Sequence, residues 1–252
     1  MPEITRNLDF LALNIRVPAT VEYCECMCRM LGMAAARPTG VRDLLFDAPR
    51  SLRSLSEEHC DGWGIALYRE TWTVHRSTQC AARCERYATI DLDATLAIAH
   101  VRKKTVGELA IANTHPFKRG RFVFAHNGTV ETAPLVARTS VAQLSAIEGT
   151  TDSEKMFAFV LTQIDELGDT ERGITAAVKL LHGFSNLGSA TFLLGDGERL
   201  FAHRLGRTLF TASREGATII ASEPLGDRDL WSEVAERELL VLDAFTARVL
   251  AA

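Results

Sequence analysis

The sequence predicts an α+β fold, a single domain in which antiparallel sheets and helices pack in layers. Three observations carry this. Short strand-like runs fill the chain up to about residue 128, two helical patterns occupy its middle, and strand-like runs return after Asn186. No Pro/Gly/Ser-rich linker or internal repeat divides the chain. With 252 residues, 47% hydrophobic and 24% charged, it has enough apolar material for one sizeable core.

The first runs are CRMLGM (28–33), GWGIALY (62–68), TWTVHRS (71–77), TLAIAHVR (95–102) and RFVFAHNG (121–128). Each has strand length and composition, with turn residues between, and together they read as a sheet buried on both faces. From Thr151 the period changes: Met156, Phe157, Val160, Leu161 and Ile164 share one helical stripe, and T-x-x-E from Thr151 to Glu154 is a capping box. ERGITAAVKLLHGF (171–184) repeats the helical pattern. Then come SATFLLG, an Asp196-Gly197 hairpin turn, ERLFAHRLG, RTLFTAS, a turn near Glu215-Gly216, ATIIAS, and a last apolar run ELLVLDAFTARVL.

A net charge of −4 gives no global reason to expect nucleic acid or an anionic membrane as partner. The basic clusters at 102–104 and 118–121 read as solvated faces. No apolar run is long enough for a transmembrane helix. Asp9 and Arg16 interrupt the moderately apolar N-terminal stretch, so it does not read as an export signal, and the expected location is the cytoplasm. There the six cysteines are expected as free thiols or ligands rather than bridges.

Cys24, Cys26 and Cys28 alternate in YCECMCRMLG, which raises a cysteine-ligated metal with Cys60, Cys80 and Cys84 as remote ligands. Structural zinc usually takes C-x₂₋₄-C pairs, and Cys28 leads straight into an apolar core strand. No metal and no cofactor is therefore expected, and the cysteines other than Cys28 read as buried or incidental.

Cys28 stands apart because a series of polar motifs succeeds it along the chain. DGWG (61–64), AHVR (99–102), NTHPF (113–117), AHNG (125–128) and TDSE (151–154) come in that order, at strand ends and turns. Alone, each has an ordinary structural reading. His100 and His126, for instance, sit on apolar strands as satisfied core histidines would. Taken together after the M-C strand, they make the chain resemble the stand-alone class II glutamine amidotransferases of the N-terminal-nucleophile hydrolase superfamily, over about residues 27 to 245.

The resemblance implies a four-layer αββα sandwich of two antiparallel sheets, spanning 28–252, with residues 1–27 as an extension or propeptide. It implies hydrolysis of a side-chain amide through a Cys28 thioester. In such enzymes the cysteine's own α-amine is the base, and an amine with a pKa near ~8 suits proton transfer at neutral pH. Asn127 and Gly128 match the oxyanion hole. Arg102 matches the planar two-pronged donor that grips the substrate α-carboxylate, and Asp152 the carboxylate that binds its α-ammonium. Thr105 and His115 fall on positions that support the pocket, with His115 expected to position Arg102 or the substrate. Asp61, Gly62 and Gly64 are expected to shape the backbone beside the nucleophile, the glycines allowing close approach.

Three features depart from the synthase-linked relatives. Lys103 replaces an aromatic residue after the arginine, no synthase domain follows, and 27 residues precede Cys28. The expected substrate is glutamine or a γ-glutamyl amide, with an ammonia-accepting synthase subunit as a possible partner. ATIIASEP resembles a relative in ergothioneine biosynthesis that releases γ-glutamyl groups. The competing readings are a non-catalytic glutamine-binding module, if residues 1–27 stay attached, and the cysteine-ligated metal protein.

Overall fold

The computed structural model describes residues 28–214 and 216–250. Period-two alternation in the first strand, β1 (Arg29–Gly40), sets the architecture. Met30 and Ala34 point to one side and pack into one apolar cluster, while Leu31, Met33 and Ala35 point to the other side and into a second.

Around β1 gather β2 (Trp63–Tyr68), β3 (Trp72–Ser77), β4 (Asp93–Val101), β9 (Phe210–Arg214), β10 (Ala217–Ala221) and β11 (Ser232–Glu233). They form a seven-stranded antiparallel sheet in the order β11-β9-β10-β1-β4-β2-β3. The remaining strands are β5 (Phe117–Arg119), β6 (Phe122–Asn127), β7 (Thr191–Gly195), β8 (Leu200–His203), β12 (Leu239–Leu242) and β13 (Ala247–Leu250). These make a second antiparallel sheet of six, ordered β13-β12-β8-β7-β6-β5.

Three apolar clusters separate four layers. Between the sheets lie Met30, Ile98 and Ile220 from the first and Val123, Leu193 and Leu240 from the second. The outer face of the second sheet packs on helices Asp152–Leu167 and Thr170–Gly183 through Phe124, Phe157, Phe192 and Val178. The outer face of the first sheet is covered by short helical turns at Asp43–Asp47, Leu52–Leu55 and Glu85–Thr89, which contribute Leu44, Leu45, Leu55 and Tyr87. This is the αββα sandwich.

Several sequence expectations need correction. The strand in 121–128 belongs to the second sheet, not with the four runs before it. The last apolar run is a hairpin, β12 and β13, turned at Asp243, whose N–H bonds the Thr246 carbonyl at 3.0 Å. The capping box is half formed: Thr151 accepts from the Glu154 N–H, but the Glu154 carboxylate turns to the N–H groups of Glu148 and Gly149. The expected extension, with Cys24 and Cys26, lies outside the described residues.

Candidate active site

Three strands end at one place. Cys28 precedes β1, Arg102 follows β4, and Asn127 and Gly128 close β6. Because alternate residues share a face, Cys28 continues the row of Met30, Arg102 that of Ile98 and His100, and Asn127 that of Val123 and Ala125. The site is thus the open end of the layer between the sheets. Cys28, Arg102, Thr105, His115, Gly128 and Asp152 line one cavity of about 20 Å³ there. Asn127, immediately before Gly128, is buried in β6. Six of the seven residues expected to form the site therefore line one cavity, and Asn127 adjoins it in the chain.

The start of β1 is fixed firmly. Arg29, buried, donates to the buried Glu223 carboxylate at 2.8 Å, and Arg50 donates to its other oxygen at 2.7 Å. Such a buried pair is sustained by the hydrogen bonds that satisfy both oxygens. Met30 and Ser222 exchange backbone and hydroxyl bonds alongside. These contacts hold the residue after Cys28, and so aim the thiol.

The Cys28 thiol rests on the backbone of Lys103, whose N–H donates to Sγ at 3.2 Å while the thiol donates to the Lys103 carbonyl at 3.3 Å. Burial pushes the thiol pKa up; the Lys103 N–H and the Arg102 charge pull it back. The Arg102 guanidinium donates to the carbonyls of Val106 and Glu108 at 2.9 and 3.1 Å, so it is tied to the loop that forms one wall of the cavity. Asp61 supports that loop by accepting the Lys104 N–H at 2.8 Å. Lys103 Nζ reaches the Glu58 carbonyl at 3.1 Å.

Across the cavity, Asp152 opens its helix and accepts the Val130 N–H at 2.8 Å. Gly128 has φ of +148° and its would-be Cβ collides with the Ser189 carbonyl, so only glycine fits at this edge of the cavity. Gly64 shows the expected close approach, its would-be Cβ colliding with the His115 carbonyl.

The histidines divide. His126 Nε2 lies 2.9 Å from the Ser189 carbonyl, which can only accept, so that nitrogen carries the proton and Ser153 donates to Nδ1. It is the satisfied core histidine expected. His100 and His115 pack ring on ring at 4.4 Å, and none of their ring nitrogens has a hydrogen-bond partner among the described residues. Burial lowers both, His100 to about 3. His115 therefore does not hydrogen-bond Arg102; it fills the space between His100 and Phe117.

Sequence reasoning passed over three residues here. Asn113 lines the cavity and joins its walls, donating to the Glu108 carbonyl and accepting the Thr150 N–H; it is the first residue of NTHPF, which was the available signal. Ser153 orients His126. His59, buried without a ring partner and lowered by burial to about 4, sits near Arg29 and Lys103, and no sequence pattern marks it. Among the described residues no group of three or more His, Cys, Asp or Glu could hold a metal ion, and no helix is long and apolar enough to cross a membrane.

Known structures share this architecture. The chain superposes on a glutamine aminotransferase class-II domain protein from Silicibacter pomeroyi with TM-score 0.65 at 19% identity, covering 89% of this chain and 100% of that one. It superposes on glutamine phosphoribosylpyrophosphate amidotransferase from B. subtilis with TM-score 0.67, also at 19% identity, covering 88% and 49%. The fold is that of the Ntn-hydrolase-type glutamine amidotransferases. The model of the glutamine amidotransferases class-II matches residues 27–215, and the chain belongs to that family. A putative glutamine amidotransferase of Haemophilus influenzae is 31% identical over 71% of this chain, which spans 63% of that protein. An uncharacterized protein of Methanocaldococcus jannaschii is 31% identical, and this chain spans 51% of it. Gamma-glutamyl-hercynylcysteine sulfoxide hydrolase of Mycobacterium tuberculosis is 30% identical over 85% of this chain and 92% of its own length.

Proposed function

We propose that the protein hydrolyses the side-chain amide of glutamine or of a γ-glutamyl amide through a thioester on Cys28. The carrying observation is that Cys28, Arg102, Asp152 and Gly128 all line one cavity. Arg102 and Asp152 carry the opposite charges that an amino-acid head group needs. Cys28 and the Asn127–Gly128 pair would serve its far end.

In this reading the Cys28 α-amine, freed from residues 1–27, takes the thiol proton. The thiolate attacks the amide carbon, and Asn127 and Gly128 donate to the developing oxyanion. The ammonium returns its proton to the leaving nitrogen as the C–N bond breaks. Water then cleaves the thioester, releasing glutamate and restoring the thiol. The cavity has room for about one water, so a substrate must displace the 103–109 loop. Its carboxylate would replace the Val106 and Glu108 carbonyls on Arg102.

A γ-glutamyl amide larger than glutamine is favoured by the hydrolase relative that this chain matches over nearly its whole length. Ammonia delivery to a separate synthase is the second reading, in keeping with the class-II family itself.

Acid quenching during turnover of a panel of γ-glutamyl amides, followed by peptide mass analysis, tests the proposal. A glutamyl adduct on the Cys28 peptide, absent in Cys28→Ala, is expected. Undiminished hydrolysis by Cys28→Ala would overturn it.

A further inference from the structure

Cys60 and Cys80 take no part in the amide chemistry, yet their sulfur atoms are only 2.7 Å apart. The sheet register accounts for the meeting. In the β2–β3 hairpin Tyr68 faces Trp72 and Trp63 faces Ser77. Continuing that pairing three residues outward along both arms brings Cys60 opposite Cys80. The two cysteines therefore sit across the open end of the hairpin.

Their surroundings hold them there. The Ser56 carbonyl accepts from each thiol at 3.1 Å, and the Ser56 hydroxyl accepts the Ala82 N–H at 2.8 Å, so the two arms are already fastened to one buried residue. Both cysteines are partly accessible, whereas nearby Cys84 is buried in the core under the first sheet. No third ligand accompanies them among the described residues.

We propose that Cys60 and Cys80 are a dithiol modification site that forms a reversible disulfide. A low-molecular-weight disulfide is the oxidant. One protein thiolate attacks it and expels a small thiol; the second attacks the mixed disulfide and expels another. Two protein thiols are oxidised, one small disulfide is reduced to two thiols, and the protons balance. Hydrogen bonding to Cys80 raises the Cys60 thiol to about 11, which makes it slow to react until its neighbour is the mixed disulfide.

The bridge would staple β3, an edge strand of the first sheet, to the arm that leads into Asp61 and Gly62. Those residues pair with the Arg102 backbone at 3.1 and 2.8 Å. Closing a loop of this size constrains the unfolded chain, and an upward Tm shift of roughly 5–10 °C is expected.

The test incubates the reduced full-length protein with glutathione disulfide and maps its peptides without reduction. A Cys60–Cys80 cross-linked peptide is expected before any adduct on Cys84. Dithiothreitol should reverse both the cross-link and the Tm shift. Cys60→Ser should keep the Tm of reduced protein, gain no shift on oxidation, and carry glutathione on Cys80 instead. Separate glutathione adducts on Cys60 and Cys80 in the unsubstituted protein, or a cross-link of either to another cysteine, would overturn the proposal.

Discussion

The middle of the inter-sheet layer and its open end are made by the same strands and differ in almost every other respect. In the middle, Met30, Ile98, Val123 and Leu193 form a cluster that is apolar throughout. Two residues further along the same rows stand Cys28, His100 and Ala125, and then Arg102 and Asn127. Burial persists along two of the rows, where Ile98 and Leu193 are fully buried and Arg102 is 4% exposed, while Cys28 at the end of the third is partly accessible. What changes is polarity. A strand ladder can carry polar side chains into a dry place when their backbones are already paired. The apolar middle supplies the stability, and the end spends some of it on groups such as His100 and His115, whose ring nitrogens find no hydrogen-bond partner among the described residues.

Substitutions at the two places should therefore fail differently. The largest effect is expected at the end: Asn127→Ala should lower kcat by about 10²–10³ with little change in KM, as loss of an oxyanion donor does. Steady-state kinetics check this, and an effect confined to KM would assign Asn127 to ground-state binding instead of the proposed oxyanion hole. In the middle, Leu193→Ala should cost about 2–5 kcal/mol of stability by opening a cavity. Urea unfolding measures it, and kcat per folded molecule should stay unchanged.

The smallest effect per pH unit separates the places by pH. His100 titrates near 3 in the fold and near 6.5 when unfolded. Between those values the unfolded chain binds a proton that the folded chain does not, so stability is full above about pH 6.5 and falls as pH drops. Each histidine of this kind contributes a slope of about 1.4 kcal/mol per pH unit. His59, at about 4, adds to the slope in the same direction. His100→Phe should flatten the dependence measured by urea unfolding, whereas Leu193→Ala should shift the curve without changing its slope. An unchanged slope in His100→Phe would show that this histidine is not what the acid limb reports.

The same contrast explains what could be read in advance. Alternation located the strands, and helical spacing over 151–167 and 171–184 located the helices within a residue of their ends, because burial on one face imposes a period. The turns at 43–47, 52–55 and 85–89 are too short to show one, so periodicity did not place the helical layer over the first sheet and only the family resemblance implied it. Sheet membership of 121–128 was also hidden: a strand's sequence records that it is buried, not against which neighbours. Of the site, the groups at strand ends announced themselves through polar residues interrupting apolar runs. Glu223, which holds Arg29, is such an interruption in ATIIASEP, yet its partner lies 194 positions away and only the fold joins them. His59, on a loop, had no pattern to interrupt.

The central claim is that Cys28 works as a chain terminus. The family match begins at residue 27, so Met27 and Cys28 are its first two positions. Translation starting at Met27 followed by its removal, or cleavage of residues 1–27 as a propeptide, would each expose the α-amine. The most direct measurement pairs intact-mass analysis with amide hydrolysis for the full-length chain and for a chain begun at Met27. Activity should be complete in the shorter protein once Met27 is removed, and in the longer one it should follow the fraction whose mass corresponds to a Cys28 start. Full activity from molecules still carrying residues 1–27 would contradict the account, because an amide nitrogen cannot take the thiol proton.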